Sequence, residues 1–425
     1  MTATQIISAL GEGALNKYGC IYSDTREAAQ RLALAVEKFV SLFGDGEAEL
    51  FSVPGRSEIS GNHTDHNNGC VLAGAIDRDV IAVARRNADG VIRFYSEGYP
   101  MDTVEVCACA DPEHFNKYTS ASLIAGMVDG FARNGHEVGG FDVYSISSVL
   151  KGSGISSSAA YEVMIGNLLN HLYNGGKIDN KEIAKLAQYA ENRYFGKPCG
   201  LMDQMACAVG GFVYIDFSDK EHPVVEPIDF ALADAGYSLC IVNTGGNHAD
   251  LNDDYASVPA EMKAVAAALG REVLAGVSEQ ELVCAIPTLR GRLSDRAILR
   301  AVHFVRENER VKRAKLALKS ADVDAFFREV SASGSSSFKY LQNVYTTVNV
   351  AEQGLSLALA LADGYLEGKS GAARVHGGGF AGTVQVFVKT EELGGLVSLM
   401  DSVFGHGSAM ALRVRPLGAI KLDLE

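Results

Sequence analysis

The sequence predicts an α+β fold divided into two domains. Its 425 residues exceed the usual size of one domain, which is about 150 residues. From Glu49 onward, short strand-like runs alternate with amphipathic helical runs. Polar residues and two prolines then interrupt the apolar pattern at 219–227. We therefore predict a helical N-terminal extension over residues 1–47, a first domain over 48–222 and a second domain over 223–425.

The first part of the chain is predicted to be helical and then to alternate strands with helices. An amphipathic run at 25–43 stops at the glycines that follow it, as helices commonly do. The strands that we predict in the first domain include 80–84, 91–95 and 141–148, and the helices are 121–134, 157–172 and 181–194.

The second domain is predicted to open on a strand at 238–242 and to continue through long helices. These helices are predicted at 256–269, 295–319 and 347–366. The domain closes with a strand at 384–388, a helix at 391–404 and a strand at 410–414. A strand, a helix and a strand after a glycine loop form half of a ferredoxin-like unit.

The composition is that of an ordinary globular protein with an acidic surface. Apolar residues make up 47% and charged residues 21%, and the net charge is -14. The negative electrostatic potential of such a protein disfavours nucleic acid and anionic membranes as partners. We find no apolar run of about 18 residues and no basic stretch leading into an apolar one at the N-terminus, so we expect a cytoplasmic protein. Its eight cysteines are expected to be reduced thiols.

A polar loop over 53–70 carries the densest group of ionisable side chains. Arg56, Glu58, His63, Asp65 and His66 fall within eleven positions. Loops of this kind are usually functional. A zinc site at the two histidines and Asp65 lacks a second Cys or His cluster that would complete a tetrahedron, so hydrogen-bonding roles are simpler.

Two further loops are rich in glycine. Residues 149–160 lie between a predicted strand and a predicted helix, where glycines permit a tight turn and serines cap the helix. This arrangement predicts an anion site, although it is also the pattern of a plain helix-capping turn. The loop lacks the third glycine of GxGxxG, and GxxxxGK[ST] occurs nowhere in the chain. The third loop, over 376–382, predicts a close approach of the backbone to another group.

Taken in order, the three loops resemble the three motifs of the GHMP kinase superfamily. The first is similar to the galactokinase signature GRxNxxGEHTDYNxG, the second to PxGxGLSSSA through 150–159, and the third to GGGFGG through 377–382. The stretch 188–204 resembles the galactokinase segment that carries a metal-binding glutamate and a catalytic aspartate. The resemblance implies a two-domain GHMP kinase fold, with a ribosomal S5-like N-terminal domain and a ferredoxin-like C-terminal domain. It also implies an ATP-dependent sugar 1-kinase, with galactose as the sugar.

The same resemblance implies roles for individual residues. Asp203 would accept the proton of the sugar's C1 hydroxyl, and Arg56 would keep that carboxylate ionised. The expected sugar-binding residues are Asn62, His63, Asp65, Gly200 and Tyr255. The expected ATP-binding residues are Gly152, Ser153, Gly154, Ile155, Ser156, Ser157 and Ser158. Mg²⁺ would be held by Ser158 and Glu191. The plain structural alternatives are a helix cap for Asp203 and a solvated helix face for Glu191.

The chain departs from the family pattern at several positions. Glu58 stands where the family has Asn, Asn62 where it has Glu, and His66 where it has Tyr. Because the family glutamate contacts the C6 hydroxyl of galactose, Asn62 suggests a galactose relative such as galacturonate or N-acetylgalactosamine as an alternative substrate. His376 replaces a Thr, Ala381 a Gly and Thr383 a Cys; these changes are predicted to affect packing more than chemistry.

Two other functions compete with the sugar kinase. A catalytically silent galactokinase-like sensor would bind sugar and ATP without transferring phosphate, but the Ser-Ala step at 158–159, Glu191 and Asp203 are all present. Another GHMP member, such as a mevalonate or homoserine kinase, is disfavoured because the His-Thr-Asp and Met-Asp-Gln segments resemble galactokinases specifically. Oligomeric state is not legible in the sequence.

Overall fold

In the computed structural model, which describes residues 1–149, 154–197, 199–219, 222–246 and 251–425, the chain forms two β-sheets with helices packed on them. Two predicted nucleotide-binding residues, Gly152 and Ser153, lie outside the described residues. The first elements are α1 (Ala3–Gly11), α2 (Thr25–Phe43), β1 (Glu49–Ser60), β2 (Cys70–Arg86), β3 (Val91–Ser96), β4 (Asp102–Glu105), α3 (Ser120–Arg133), β5 (Phe141–Ser147), α4 (Ser157–Asn174), α5 (Asn180–Ala190), α6 (Met202–Val209), β6 (Phe212–Asp216) and β7 (Val224–Ile228).

The remaining elements belong mainly to the second sheet and its helices. They are β8 (Tyr237–Asn243), α7 (Asn252–Ala268), α8 (Glu279–Leu289), α9 (Asp295–Lys319), α10 (Val323–Ser336), α11 (Gly354–Leu366), β9 (Gly371–His376), β10 (Thr383–Lys389), α12 (Leu393–Phe404), β11 (Ala409–Leu412) and β12 (Ile420–Leu422). Helices α5 and α10 each end in a wide turn, at Glu191–Phe195 and Ser337–Leu341.

The larger sheet is built around β2, the longest strand. Its strands run in the order β12-β1-β2-β5-β3-β4, and β6 and β7 extend the sheet from β2. The first part of β2 pairs with β6, the second part pairs with β5, and β1 spans both. Helices α3 to α6 bury their apolar faces in the main core together with this sheet. The sheet thereby fixes both β1 and α6, which carry the candidate catalytic residues.

Residues 1–47 cover another part of the larger sheet. Helix α2 buries Leu32, Ala35, Val36 and Phe39, a spacing that places one apolar stripe along the helix. This stripe shares a hydrophobic cluster with residues of β1, β2 and β5. The segment that we predicted as an extension therefore forms a packed layer of the first domain.

The smaller sheet has the ferredoxin-like arrangement that the sequence predicted for its end. Its strand order is β11-β8-β10-β9, and each neighbouring pair is antiparallel. In chain order the unit reads strand, helices, two strands, helix and strand, which is the βαββαβ pattern. Five helices, α7 to α11, lie between β8 and β9, where the basic pattern has one.

The chain crosses between the two sheets at places other than the predicted boundary. Strand β7 pairs with β6, so the boundary predicted between 222 and 223 falls within a hairpin of the larger sheet. Pro227 lies on β7, a strand that among the described strands pairs only with β6 and so forms an edge, where proline is tolerated. We place the crossing at 229–236. After β11 the chain returns, and β12 pairs with β1.

The predicted loop over 53–70 is also shorter than expected. Residues up to Ser60 belong to β1, so Arg56 and Glu58 lie on a strand. The second half of β1 was predicted as a loop because Arg56 and Glu58 interrupt the apolar pattern, although both are buried and have polar partners. Arg374 of β9, for example, donates to Glu58 at 3.1 Å and to the carbonyl of Ile59 at 2.8 Å.

Candidate active site

Strand β1 and helix α6 bring an arginine and an aspartate together from positions 147 residues apart. Arg56 donates from Nε to Asp203 Oδ1 at 2.8 Å and from Nη2 to Oδ2 at 2.9 Å. This is a two-pronged contact between a planar guanidinium and a carboxylate, which is a strong and directional pairing. The side chain of Asp203 keeps 33% of its surface exposed, so the carboxylate remains partly accessible to solvent.

The surroundings of Asp203 keep it ionised. Burial by itself would raise its pKa, but the charge and hydrogen bonds of Arg56 outweigh burial and hold the pKa below its usual value. Ser156 adds a third hydrogen bond, from Oγ to Oδ2 at 2.5 Å. The result is a partly exposed carboxylate, negative at neutral pH, at the N-terminal end of α6.

The described part of the second loop is tied to this pair. The carbonyl of Gly154 accepts from Arg56 Nη1 at 2.5 Å, and the carbonyl of Ile155 accepts from the Arg56 amide at 3.2 Å. Gly154 and Ser156 both have a positive φ, of 74° and 60°. A serine in this conformation is uncommon and often marks a functional turn.

Helix α4 begins directly after this turn, at Ser157. The first amide groups of a helix have no partner within it and carry a partial positive charge, so they favour an anion. Ser158 is exposed on this first turn, whereas the side chain of Ile155 is fully buried and leaves only its backbone for a ligand. The arrangement could accept an anion beside Asp203.

Glu191 lies at the end of α5 and is only 3% exposed, so it is not part of a solvated helix face. Its Oε2 accepts from Gln204 Nε2 at 2.8 Å, and its Oε1 lies 3.3 Å from Lys197 Nζ. The same Gln204 amide donates to Glu162 of α4 at 3.1 Å. Burial first, and then the neighbouring Glu191, raise the pKa of Glu162 well above its ordinary value.

Four of the predicted sugar-binding residues lie around the turns that follow β1 and β9. His63 Nε2 donates to the carbonyl of Gly378 at 2.8 Å, and Tyr255 Oη donates to the carbonyl of Gly379 at 2.8 Å. Asp65 and Gly200 are in close contact, because a Cβ added to Gly200 would lie 2.7 Å from Asp65 Oδ2. Burial lowers the pKa of His63 to about 4, so its ring is neutral near pH 7.

Asn62, the fifth of these residues, is placed differently from the prediction. It is 1% exposed, and its amide nitrogen donates to Glu58 at 2.9 Å and to the carbonyl of Gly377 at 2.7 Å. Its amide oxygen accepts from Asn343 at 2.7 Å and from Ser337 at 3.3 Å. The amide is fully used within the protein and leaves no group for a sugar hydroxyl. The alternative substrates inferred from Asn62 therefore lose their structural support.

Helix α9 holds the backbone of the loop that follows β1, a role that sequence reasoning missed. His303 Nε2 donates to the carbonyl of Asn62 at 3.0 Å, and Glu307 Oε1 accepts from the amide of Gly61 at 2.9 Å. Although burial would raise the pKa of Glu307, the adjacent Arg310 lowers it to about 2. This role could have been suspected from the polar residues at 303, 307 and 310, because their spacing places them on one face of a helix.

The fold and the site together define a small-molecule kinase of the GHMP class. The protein-family model described as "GHMP kinases N terminal domain" matches residues 122–211 of the chain. The family model described as "Galactokinase galactose-binding signature" matches residues 37–86, which include β1 and the loop that follows it.

The chain belongs to the galactokinase family. It is 32% identical over 384 residues to a galactokinase of Streptomyces coelicolor, and the match covers 89% of this chain and 94% of the relative. A galactokinase of Clostridium tetani is 28% identical over 365 residues, covering 84% and 88%. The crystal structure of Lactococcus lactis galactokinase complexed with galactose superimposes with a TM-score of 0.76 at 25% identity, covering 92% and 99%.

More distant structures share the fold. A mevalonate kinase crystal structure superimposes with a TM-score of 0.60 at 14% identity, covering 86% of this chain and 98% of that one. Among the described residues, no helix has the length and apolar character that crossing a lipid bilayer requires.

Proposed function

We propose that this protein phosphorylates galactose at C1, using ATP and releasing galactose 1-phosphate and ADP. The single observation that carries this proposal is the two-pronged Arg56–Asp203 pair beside the N-terminus of α4. An ionised carboxylate at this place can take a proton from an acceptor hydroxyl, and an anion site next to it can hold the donor's phosphates. The family membership supports galactose as the acceptor.

In the proposed reaction Asp203 accepts the proton of the C1 hydroxyl as the C1 oxygen bonds to the γ-phosphorus. The bond between the γ-phosphorus and the bridging β–γ oxygen breaks, and ADP leaves with that electron pair. Most of the catalysis then comes from alignment and from neutralising charge. Arg56 orients the carboxylate and offsets the charge that develops on the phosphoryl group. His63, Asp65 and Tyr255 are assigned to orienting the sugar.

The nucleotide is assigned to the loop that precedes α4. Backbone amides of Gly154 to Ser158 would hold its phosphates, supported by the positive end of the helix. Gly152 and Ser153 remain part of this proposal as sequence-based predictions. A cytoplasmic location is likewise proposed, since the free thiols of all eight cysteines suit a reducing compartment.

Mg²⁺ is proposed to bind next to this loop, and the oxygen-rich surroundings of Glu191 fit such an ion. Glu162 Oε1 and Gln204 Oε1 are buried beside it without a hydrogen-bond partner in the described chain. Within the same residues, no group of three or more His, Cys, Asp or Glu side chains is arranged as a metal site. Mg²⁺ would therefore be held by Glu191, by the hydroxyl of Ser158 and by phosphate oxygens. When bound, the ion supplies charge neutralisation at the phosphates.

Replacing Glu191 with glutamine is expected to raise the Mg²⁺ concentration needed for half-maximal rate by about 10–100-fold, as outer-sphere changes at metal sites already do. The neutral amide is a weaker oxygen ligand, while the shape is kept. The measurement is a titration of rate against free Mg²⁺ at saturating ATP. Glu226→Gln, which alters a glutamate paired with Lys315 and Lys319 away from the site, is the matched control. An unchanged Mg²⁺ requirement would remove Glu191 from the metal site.

The proposed function is tested by coupled ADP release with a panel of free sugars, with and without Mg²⁺. We expect galactose to give the highest kcat/KM. Galacturonate and N-acetylgalactosamine should be much poorer substrates, because the buried amide of Asn62 has no free group to offer them. A higher kcat/KM for either of those sugars would restore the substrate hypothesis based on Asn62. Sugar binding by calorimetry without ADP release from any sugar would instead indicate a silent sensor.

A further inference from the structure

The ends of β9 and β10 carry two buried polar side chains that form a pair. His376 is the last residue of β9, and Thr383, the first residue of β10, lies opposite it in the sheet register. His376 Nδ1 and Thr383 Oγ1 are 2.9 Å apart, and the two residues are 2% and 4% exposed. Their replacement of Thr and Cys was predicted to affect packing more than chemistry.

This pair faces Gly154 in the loop that precedes α4, to which the phosphates are assigned and which we call the phosphate loop. A Cβ added to Gly154 would lie 3.3 Å from His376 Nδ1, 3.4 Å from its Cε1 and 3.4 Å from Thr383 Oγ1. The two side chains therefore bound the space beside Gly154 and leave little room for any larger residue there. Because the carbonyl of Gly154 accepts from Arg56, which in turn holds Asp203, a continuous set of contacts joins the pair to the catalytic carboxylate.

The imidazole of His376 is uncharged. Burial first, and then the charges of Arg56 and Arg374, lower its pKa to about 3. Its second nitrogen, Nε2, is buried and has no hydrogen-bond partner among the residues that the structure describes. A neutral ring at this position does not compete with Arg56 for the carboxylate of Asp203.

We propose that His376, paired with Thr383, is a positioning residue for phosphoryl transfer: its ring supports Gly154 and so keeps the phosphate loop and Arg56 aligned around the nucleotide. This inference rests on the proposed function, because it assigns the Gly154 loop to ATP. His376 itself touches no reacting atom and acts through Gly154.

Two substitutions at His376 separate this role from simple filling of space. His376→Leu keeps much of the volume but removes the hydrogen bond to Thr383, whereas His376→Asn places an amide group near the position of Nδ1. For His376→Leu we expect the KM for ATP to rise and kcat to fall, each by about five-fold or more, since misalignment of reacting groups is costly. The KM for the sugar should stay within about two-fold. His376→Asn should return both ATP-dependent values toward those of the unmodified enzyme.

The matched control is Val375→Ala, at the adjacent residue. Val375 is fully buried in the hydrophobic cluster that contains Val384 and Val386, not in the polar contact with Gly154. The Val375→Ala substitution should lower the melting temperature without changing the KM for ATP. The proposal is overturned if His376→Leu behaves like Val375→Ala, if the KM for the sugar rises in place of that for ATP, or if His376→Asn fails to restore the ATP-dependent values.

Calorimetric titration with MgADP makes the result independent of the sugar. His376→Leu should bind MgADP about five-fold more weakly than the unmodified protein, and His376→Asn about equally well. If no sugar in the panel is phosphorylated, the proposed function fails while this comparison of nucleotide affinities still decides the role of His376. Equal affinity of His376→Leu and the unmodified protein for MgADP would contradict that role even in an active galactokinase.

Discussion

Asp203→Asn is expected to lower kcat by about 10³–10⁴-fold, the upper part of the range for loss of a general base. The amide keeps the shape of the carboxylate but cannot take the C1 proton, and it leaves the buried charge of Arg56 without its partner. Galactose affinity should be roughly kept, because the sugar-orienting residues lie on other segments. Steady-state rates measure the first effect, and calorimetric titration with galactose measures the second.

The control for this substitution is Asp142→Asn. Asp142 is also an arginine-paired aspartate, 3.2 Å from Arg93, but it lies on β5 among residues that take no part in the proposed site. Its loss should leave kcat nearly unchanged. A normal turnover number for Asp203→Asn would mean that another group takes the proton, and the role assigned to Asp203 would be withdrawn.

Asp79→Ala is expected to destabilise the fold by about 3–5 kcal/mol, the range for removing one partner of a buried ion pair. Asp79 is fully buried, and it accepts from Arg31 of α2 and from Ser52 of β1 at 2.5 Å. Tyr22 donates to it at 3.1 Å and Arg415 at 3.4 Å. Denaturant unfolding followed by circular dichroism measures the change, and kcat of the folded protein should be nearly unaffected.

The same carboxylate gives an expected pH dependence. Burial would raise the pKa of Asp79, but Arg31 and Arg415 hold it below the ordinary value of 3.8. A carboxyl whose pKa is lower in the folded state contributes stability that is fully present above its unfolded pKa and is lost as the pH falls through the folded one. Unmodified protein should therefore lose stability below about pH 4 more steeply than Asp79→Ala. Equal acid sensitivity of the two proteins would contradict an ionised Asp79.

The periodicity of apolar residues was sufficient to predict much of the fold. Helix α9 has the bounds 295–319 that the pattern predicted, and the terminal ferredoxin-like strands lie where apolar runs indicated them. Helix α11 begins at Gly354, later than the predicted 347, and the helical pattern between these positions did not form a helix. The second half of strand β1 was predicted as a loop because buried polar residues, such as Arg56 and Glu58, replace the alternation of apolar residues there.

Predicting the site required sequence motifs in addition to the periodicity of apolar residues. No local pattern indicates that Arg56 contacts Asp203, and their proximity was expected only because four motifs appeared in a familiar order. The placement of Asn62 could not be predicted in the same way. Its amide is taken up by Asn343 and Gly377, which lie about 280 and 315 positions further along the chain. The motif gives the residue type but does not give these partners.

The return of β12 to the larger sheet affects how the protein forms during translation. Leu50 pairs with Leu422, and Arg415, which reaches the buried Asp79, is also made long after its partner. A nascent chain on the ribosome thus presents one edge of β1 without a neighbour until residues 420–422 have been made. Unpaired strand edges attract other chains. Completion of the larger sheet therefore waits for residues made long after β1, and molecular chaperones that shield extended segments are expected to raise the yield of active enzyme.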